Sequence, residues 1–95
     1  MLRSRIDVLS AGAVPQRLAT LLLHLAERFG DTDGAGRAHI PLTLSRAALS
    51  RMVSARVETV IRVASDWQKR GLIATGAAGF DLHDPAALQA IVDGQ

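Results

Sequence analysis

The sequence predicts a mainly α-helical domain with a small β-hairpin wing, a winged helix-turn-helix, and three observations lead there. The first is Arg56–Arg70, RVETVIRVASDWQKR, in which Val57, Val60, Ile61, Ala64 and Trp67 recur at helical spacing while Arg56, Glu58, Arg62, Asp66, Lys69 and Arg70 take the other side. The second is a shorter periodic run ahead of it, Ser45 to Val53, separated by only a few residues. The third is the segment behind it, GLIATGAAGFDL, where two short apolar runs flank a tip of small residues and read as a hairpin.

A chain of 95 residues with 48% apolar content is one domain, able to fill a small core without metal or disulfide support. Cysteine is absent, which excludes a disulfide framework and any cysteine-containing zinc site, and the three histidines are scattered. The longest apolar run, Leu21 to Leu25, is interrupted by His24 and followed by Glu27 and Arg28, so nothing reads as a membrane span and a cytoplasmic address is expected. Charge is unevenly spread. Arg37 to Arg70 holds seven basic residues against two acids, whereas from Gly71 onward three aspartates stand without a base. Concentrated on the two central helices, that positive charge suits phosphate; solvated helix surface is the plainer alternative.

In chain order, Met1 to Gly12 has few packing signals and is expected to be a hinge or linker, leaving residues 13–95 as the domain. Pro15 is tolerated in the first turn of a helix spanning Val14 to Phe29, with Leu18, Leu21, Leu22, Leu25, Ala26 and Phe29 as its apolar face and Gly30 as its stop. His24 between leucines reads as a boundary residue. Asp31 to Arg37, DTDGAGR, is a polar loop; it superficially suggests calcium, but the twelfth position, where a glutamate is needed, is Leu42. His39 to Thr43 is expected as a short edge strand, where Pro41 does least damage. Ser45 caps the next helix, whose buried side is Ala48, Leu49 and Met52 or Val53, with Arg46, Ser50 and Arg51 left to solvent or phosphate. Val53-Ser54-Ala55 is the turn.

Gly71 closes the long helix in a left-handed conformation. Leu72–Thr75 and Gly79–Leu82 form the wing, with Gly76-Ala77-Ala78 at a tip that lacks lysine and arginine. Leu72 or Ile73 and Phe80 or Leu82 are expected against the helices. Asp84 and Pro85 open a last helix that turns Leu88, Ile91 and Val92 inward.

A helix of this kind can enter the DNA major groove, and the chemistry of its exposed residues sorts them. Glu58 can accept from cytosine N4, and Arg62, one turn on, can donate to guanine O6 and N7 or to a phosphate. The two can also orient one another across the helix surface, or act as an ordinary surface pair.

Leu42 to Ile73, LTLSRAALSRMVSARVETVIRVASDWQKRGLI, resembles the C-terminal DNA-binding domain of bacterial regulators related to the cyclic-AMP receptor protein and the fumarate and nitrate reductase regulator. Arg17 to Gly30 is similar to that family's first helix, and FDLHDPAALQAIV to its second wing strand and terminal helix. The resemblance implies base reading by Glu58 and Arg62 and a backbone approach by Thr59 and Ser45. Arg46, Arg51, Arg56, Lys69 and Arg70 form a pool of phosphate candidates. Ile61 departs from the small or polar residue usual at its place; it either reads a thymine methyl or turns toward protein. Ser54 replaces a customary glycine, Ala55 and Arg56 replace apolar and hydroxyl residues, and Ala48 replaces a frequent acid. The family also implies a homodimer on double-stranded DNA, a contact with RNA polymerase, and a separate sensor domain that binds an effector; this chain itself is expected to hold no cofactor, being an effector domain cut from such a regulator. Without clustered carboxylates or a phosphate-cradling loop around His24, His39 and His83 an enzyme is not expected. A winged helix used only for protein interaction is the alternative, and it suits the neutral wing.

Overall fold

The computed structural model describes residues 13–94, ordered as α1 (Val14–Phe29), β1 (Asp31–Thr32), β2 (Ala38–Ile40), α2 (Arg46–Met52), α3 (Val57–Lys69), β3 (Ile73–Gly76), β4 (Gly79–Leu82) and α4 (Pro85–Val92). The expected hinge, residues 1–12, lies outside the described residues.

Helix α1 runs over the predicted span with proline in its first turn, and it buries Leu18, Ala19, Leu22 and Leu25. Phe29, expected on the apolar face, is 51% exposed, with the Arg28 guanidinium 5.8 Å from its ring centroid. Gly30 ends the helix in extended backbone. Around α1 the core draws on every layer: Ile40 from β2, Leu49 from α2, Val60 and Trp67 from α3, Leu82 from β4 and Leu88 from α4 are all buried. Full burial of one such side chain stabilises by roughly 1.5–3 kcal/mol, so these positions hold the helices to the sheet.

The sheet is larger than a hairpin. Its order is β1-β2-β4-β3, antiparallel throughout. The loop after α1 contributes β1, which pairs Asp31 with His39, and β2 pairs Ile40 with Phe80 of the wing. The expected edge strand at His39–Thr43 is therefore corrected: it starts at Ala38, stops at Ile40 and lies inside the sheet. Pro41 follows directly after it, where the missing N–H interrupts no ladder.

In the wing, Gly76 pairs with Gly79 across a two-residue turn, Ala77-Ala78, so the tip is tighter than predicted. Leu72, Ile73, Phe80 and Leu82 are all buried, which anchors both strands rather than one residue of each pair. Gly79 (φ +126°) is buried against β2, and a Cβ there would overlap the Ile40 carbonyl oxygen. Only glycine lets the wing backbone approach that closely. Asp84 caps α4, its Oδ1 accepting from the Ala87 N–H at 3.1 Å, and α4 covers the far side of the core against α1.

Candidate nucleic-acid interface

The interface is built outward from the start of α2. Ser45 Oγ accepts from the Ala48 N–H at 3.0 Å, the predicted cap. The helix then closes on itself: Ala55 N–H reaches Ser50 O at 2.9 Å and Ser54 N–H reaches Arg51 O at 3.4 Å, with Ser54 at φ +55°. This is a Schellman turn with serine in the left-handed position. From α1, Arg17 Nε donates to Val53 O at 2.8 Å and its Nη2 to Ser54 O at 3.3 Å, gripping the turn between the two helices.

Two details of α2 differ from expectation. Ser50 is 7% exposed and its hydroxyl donates to Ala47 O at 2.7 Å, so it is not open to phosphate. Of Met52 and Val53 it is Val53 that is buried, leaving Met52 50% exposed. Ser50 adjoins Leu49 on the buried side of α2, and Val53 joins the core cluster at the helix end.

Helix α3 spans Val57–Lys69, with Arg56 as an N-cap that makes no side-chain cap bond and Arg70 as the C-cap. It is thus one residue shorter at each end than the periodic run. Val60, Ala64 and Trp67 are buried, and Val57 and Val63 are half-buried. Ile61 leaves the predicted apolar stripe and is 47% exposed, because Val63 takes its place beside the core. Glu58, Ile61, Arg62, Ser65 and Lys69 then form one exposed ridge at separations of three and four. Glu58 also sits in the first turn, where a carboxylate favours the helix dipole.

The predicted site residues stand in different states. Among the described residues Glu58 and Arg62 make no ion pair with each other or with anything else, so neither orients the other and both heads are open. Arg51, Arg56 and Lys69 are exposed, and Thr59 is half-buried. Arg70 Nη1 instead pairs with Asp66 Oδ2 at 3.2 Å. Arg46 is half-buried and reaches the wing, its Nη2 at 3.5 Å from Thr75 Oγ1, which donates in turn to Gln68 Oε1 at 3.2 Å.

Away from this side, an open concavity of about 400 Å³ is lined by Asp31, Asp33, Arg37, His39, Asp81 and His83. Asp33 and Arg37 pair within the loop. Asp33 accepts from the backbone N–H groups of Ala35 and Arg37 and from Arg37 Nε, and the Arg37 backbone bond first, then the Ala35 N–H and the Arg37 side chain, hold its carboxyl below the usual carboxylate range. His39 Nδ1 and Asp81 Oδ1 are paired across the strands at 2.7 Å. Among the described residues no three acids or histidines are grouped as a metal site, and no helix is long and apolar enough to cross a membrane.

Arg17, Ser65, Gln68 and Thr75 were not foreseen. For Ser65 the signal was present in the spacing from Glu58 and Arg62; the others act through contacts distant in the chain.

A short capped helix, a closed turn, a longer helix with an open polar ridge and a wing beside it define a winged helix-turn-helix protein. The chain belongs to the Crp-like helix-turn-helix family, whose profile matches residues 16–91. It is 32% identical over 88 residues to the transcriptional activator protein Anr of Pseudomonas aeruginosa, covering 93% of this chain and 36% of that one. It is 29% identical over 89 residues to the nitrogen fixation regulation protein FixK of Bradyrhizobium diazoefficiens, covering 94% and 37%. The fold superposes on a CRP/FNR-family transcriptional regulator from Thermus thermophilus with a TM-score of 0.75 at 26% identity, over 94% of this chain and 45% of that structure. The chain thus spans little more than a third of the curated relatives' length.

Proposed function

We propose that this chain is the sequence-specific DNA-binding domain of a bacterial transcriptional regulator, with α3 as the reading helix. The observation that carries the proposal is the ridge of α3, where Glu58 and Arg62 stand unpaired on either side of exposed Ile61. Unpaired donors and acceptors on an exposed helix face match base edges: Glu58 accepts a hydrogen bond from cytosine N4, Arg62 donates two to guanine O6 and N7, and Ile61 lies against a thymine methyl. Ser45, Arg46, Arg51, Arg56, Thr59, Arg70 and, on the ridge itself, Lys69 supply backbone contacts, Arg70 after releasing Asp66. In a homodimer two such helices would enter successive major grooves of a palindromic operator roughly 34–36 Å apart. Effector binding in a sensor domain of the longer protein, a contact with RNA polymerase and a cytoplasmic location complete the proposal, with no cofactor in this chain.

Selection of bound duplexes from a random DNA library tests the reading and yields the operator together. Glu58→Ala and Arg62→Ala should each cost about 1–3 kcal/mol at the base pair they read and relax preference there. The neutral Ala77-Ala78 wing tip favours the alternative, a protein-interaction module; that reading predicts no salt-dependent binding to any duplex at high protein concentration, and such a result would replace the DNA proposal.

A further inference from the structure

A groove of about 380 Å³ opens where α1, α3 and α4 come together. Its apolar lining is Pro15 from the first turn of α1, Val63 and Trp67 of α3 and Ile91 of α4; Trp67 is buried and the other three are half-buried. Its charged members are Arg62, Asp66 and Arg70, all exposed. Arg70 is bound to Asp66 at 3.2 Å, whereas among the described residues Arg62 has no carboxylate partner. The groove therefore offers apolar surface beside one uncompensated cation, and it shares that cation with the recognition ridge.

That combination fits a short stretch of chain in which one acid stands among aliphatic residues, and such a stretch is tethered to the groove's own wall. Ile6-Asp7-Val8-Leu9 precedes Pro15 in the sequence, outside the described residues. Arg3 and Arg5 come earlier still, so from Ile6 to Gly12 the only charged residue is Asp7. The chain from Leu9 to Pro15 can span up to roughly 20 Å, which is ample for a site that Pro15 itself lines. A short covalent tether raises the effective concentration of the stretch at the groove to about the millimolar range, so modest contacts suffice to fill it.

We propose that residues 6–9 dock in this groove, with their aliphatic side chains on Val63, Trp67 and Ile91 and the Asp7 carboxylate on the Arg62 guanidinium. The docked stretch is an internal mask. A guanidinium engaged by Asp7 is not free to donate both of its hydrogen bonds to guanine, so binding to a duplex has to displace the stretch first, and apparent affinity falls by the fraction of molecules that are masked. The masking rests on the DNA reading of Arg62; the docking does not.

Docking and masking are tested separately on the 95-residue chain. The sequence has no cysteine, so Ser4→Cys offers a single attachment point for a nitroxide, and NMR line broadening then reports where it goes. Broadening should concentrate on Val63, Ile91 and the indole N–H of Trp67, spare Ala35 beyond the far end of α1, and disappear when Ile6→Ser and Val8→Ser are added. Broadening spread evenly over the domain overturns the docking. Broadening between labelled and isotope-enriched chains mixed as separate molecules would put a second copy in the groove and overturns it too. For the masking, Asp7→Asn should tighten binding to a selected duplex roughly three- to tenfold, and should change nothing in a chain that already carries Arg62→Ala. If Asp7→Asn binds as the wild type does while the label sits in the groove, the mask is wrong and the docking stands. If neither the wild type nor Asp7→Asn binds any duplex, the DNA reading falls and takes the masking with it, while the label still decides the docking.

Discussion

Helices α2 and α3 end in the same turn, built from different residues. After α3, Leu72 N–H bonds Trp67 O at 2.9 Å, Gly71 N–H bonds Gln68 O at 3.1 Å, and Gly71 takes φ +74°. After α2 the two bonds recur, but the residue in the left-handed position is Ser54. A left-handed conformation costs an L-residue roughly 1–2 kcal/mol that glycine does not incur. The turn after α3 leads into the wing and closes through its own backbone. The turn after α2 sets how the recognition helix leaves its support, and there Arg17 of α1 reaches across to hold the carbonyls of Val53 and Ser54. Local strain persists where surrounding contacts over-determine the backbone, and the turn between α2 and α3 is such a place.

Breaking the clamp should have the largest effect. Arg17→Ala removes charged hydrogen bonds from two carbonyls at a helix end, and urea unfolding should show a loss of about 1.5–3 kcal/mol; a change within a few tenths would mean the turn after α2 stands unaided. Next comes Gly71→Ser. A Cβ at Gly71 meets nothing within 4 Å, so only backbone strain opposes it. Offset by the conformational entropy glycine loses on folding, the cost should be about 0.5–1 kcal/mol. The reverse exchange, Ser54→Gly, should stabilise by about 0.5 kcal/mol, seen as a higher urea midpoint with an unchanged slope. If it destabilises instead, the serine side chain contributes something that the two turns do not share.

Much of this was legible because its causes are local. Pro15 and Gly30 bracket α1, Ser45 caps α2, Gly71 stops α3 and Asp84-Pro85 opens α4, each through groups within a few residues of one another. Glu58 and Arg62 were legible for the same reason, since helical spacing alone puts them on one face. The enlarged sheet was not, because Asp31–Thr32 and Ala38–Ile40 become strands only by pairing, and β2 finds its partner in a wing some forty residues later. Ile61 was ambiguous in the same way: its spacing suits the core stripe, and the choice between Ile61 and Val63 depends on how α3 is rotated against α1 and the sheet.

The number and order of the helices, the side-chain caps of α2 and α4, the wing and the pair of charged residues on the exposed side of α3 follow from the order of amino acids alone, because periodicity and capping act within a turn or two of chain. Packing in three dimensions settles that Ser54 adopts a left-handed backbone under the grip of Arg17, that Ser50 is buried and Ile61 exposed, and that Arg46, Thr75 and Gln68 meet. Each of those outcomes depends on groups from separate elements arriving at one point, and no local pattern in the chain encodes that arrival.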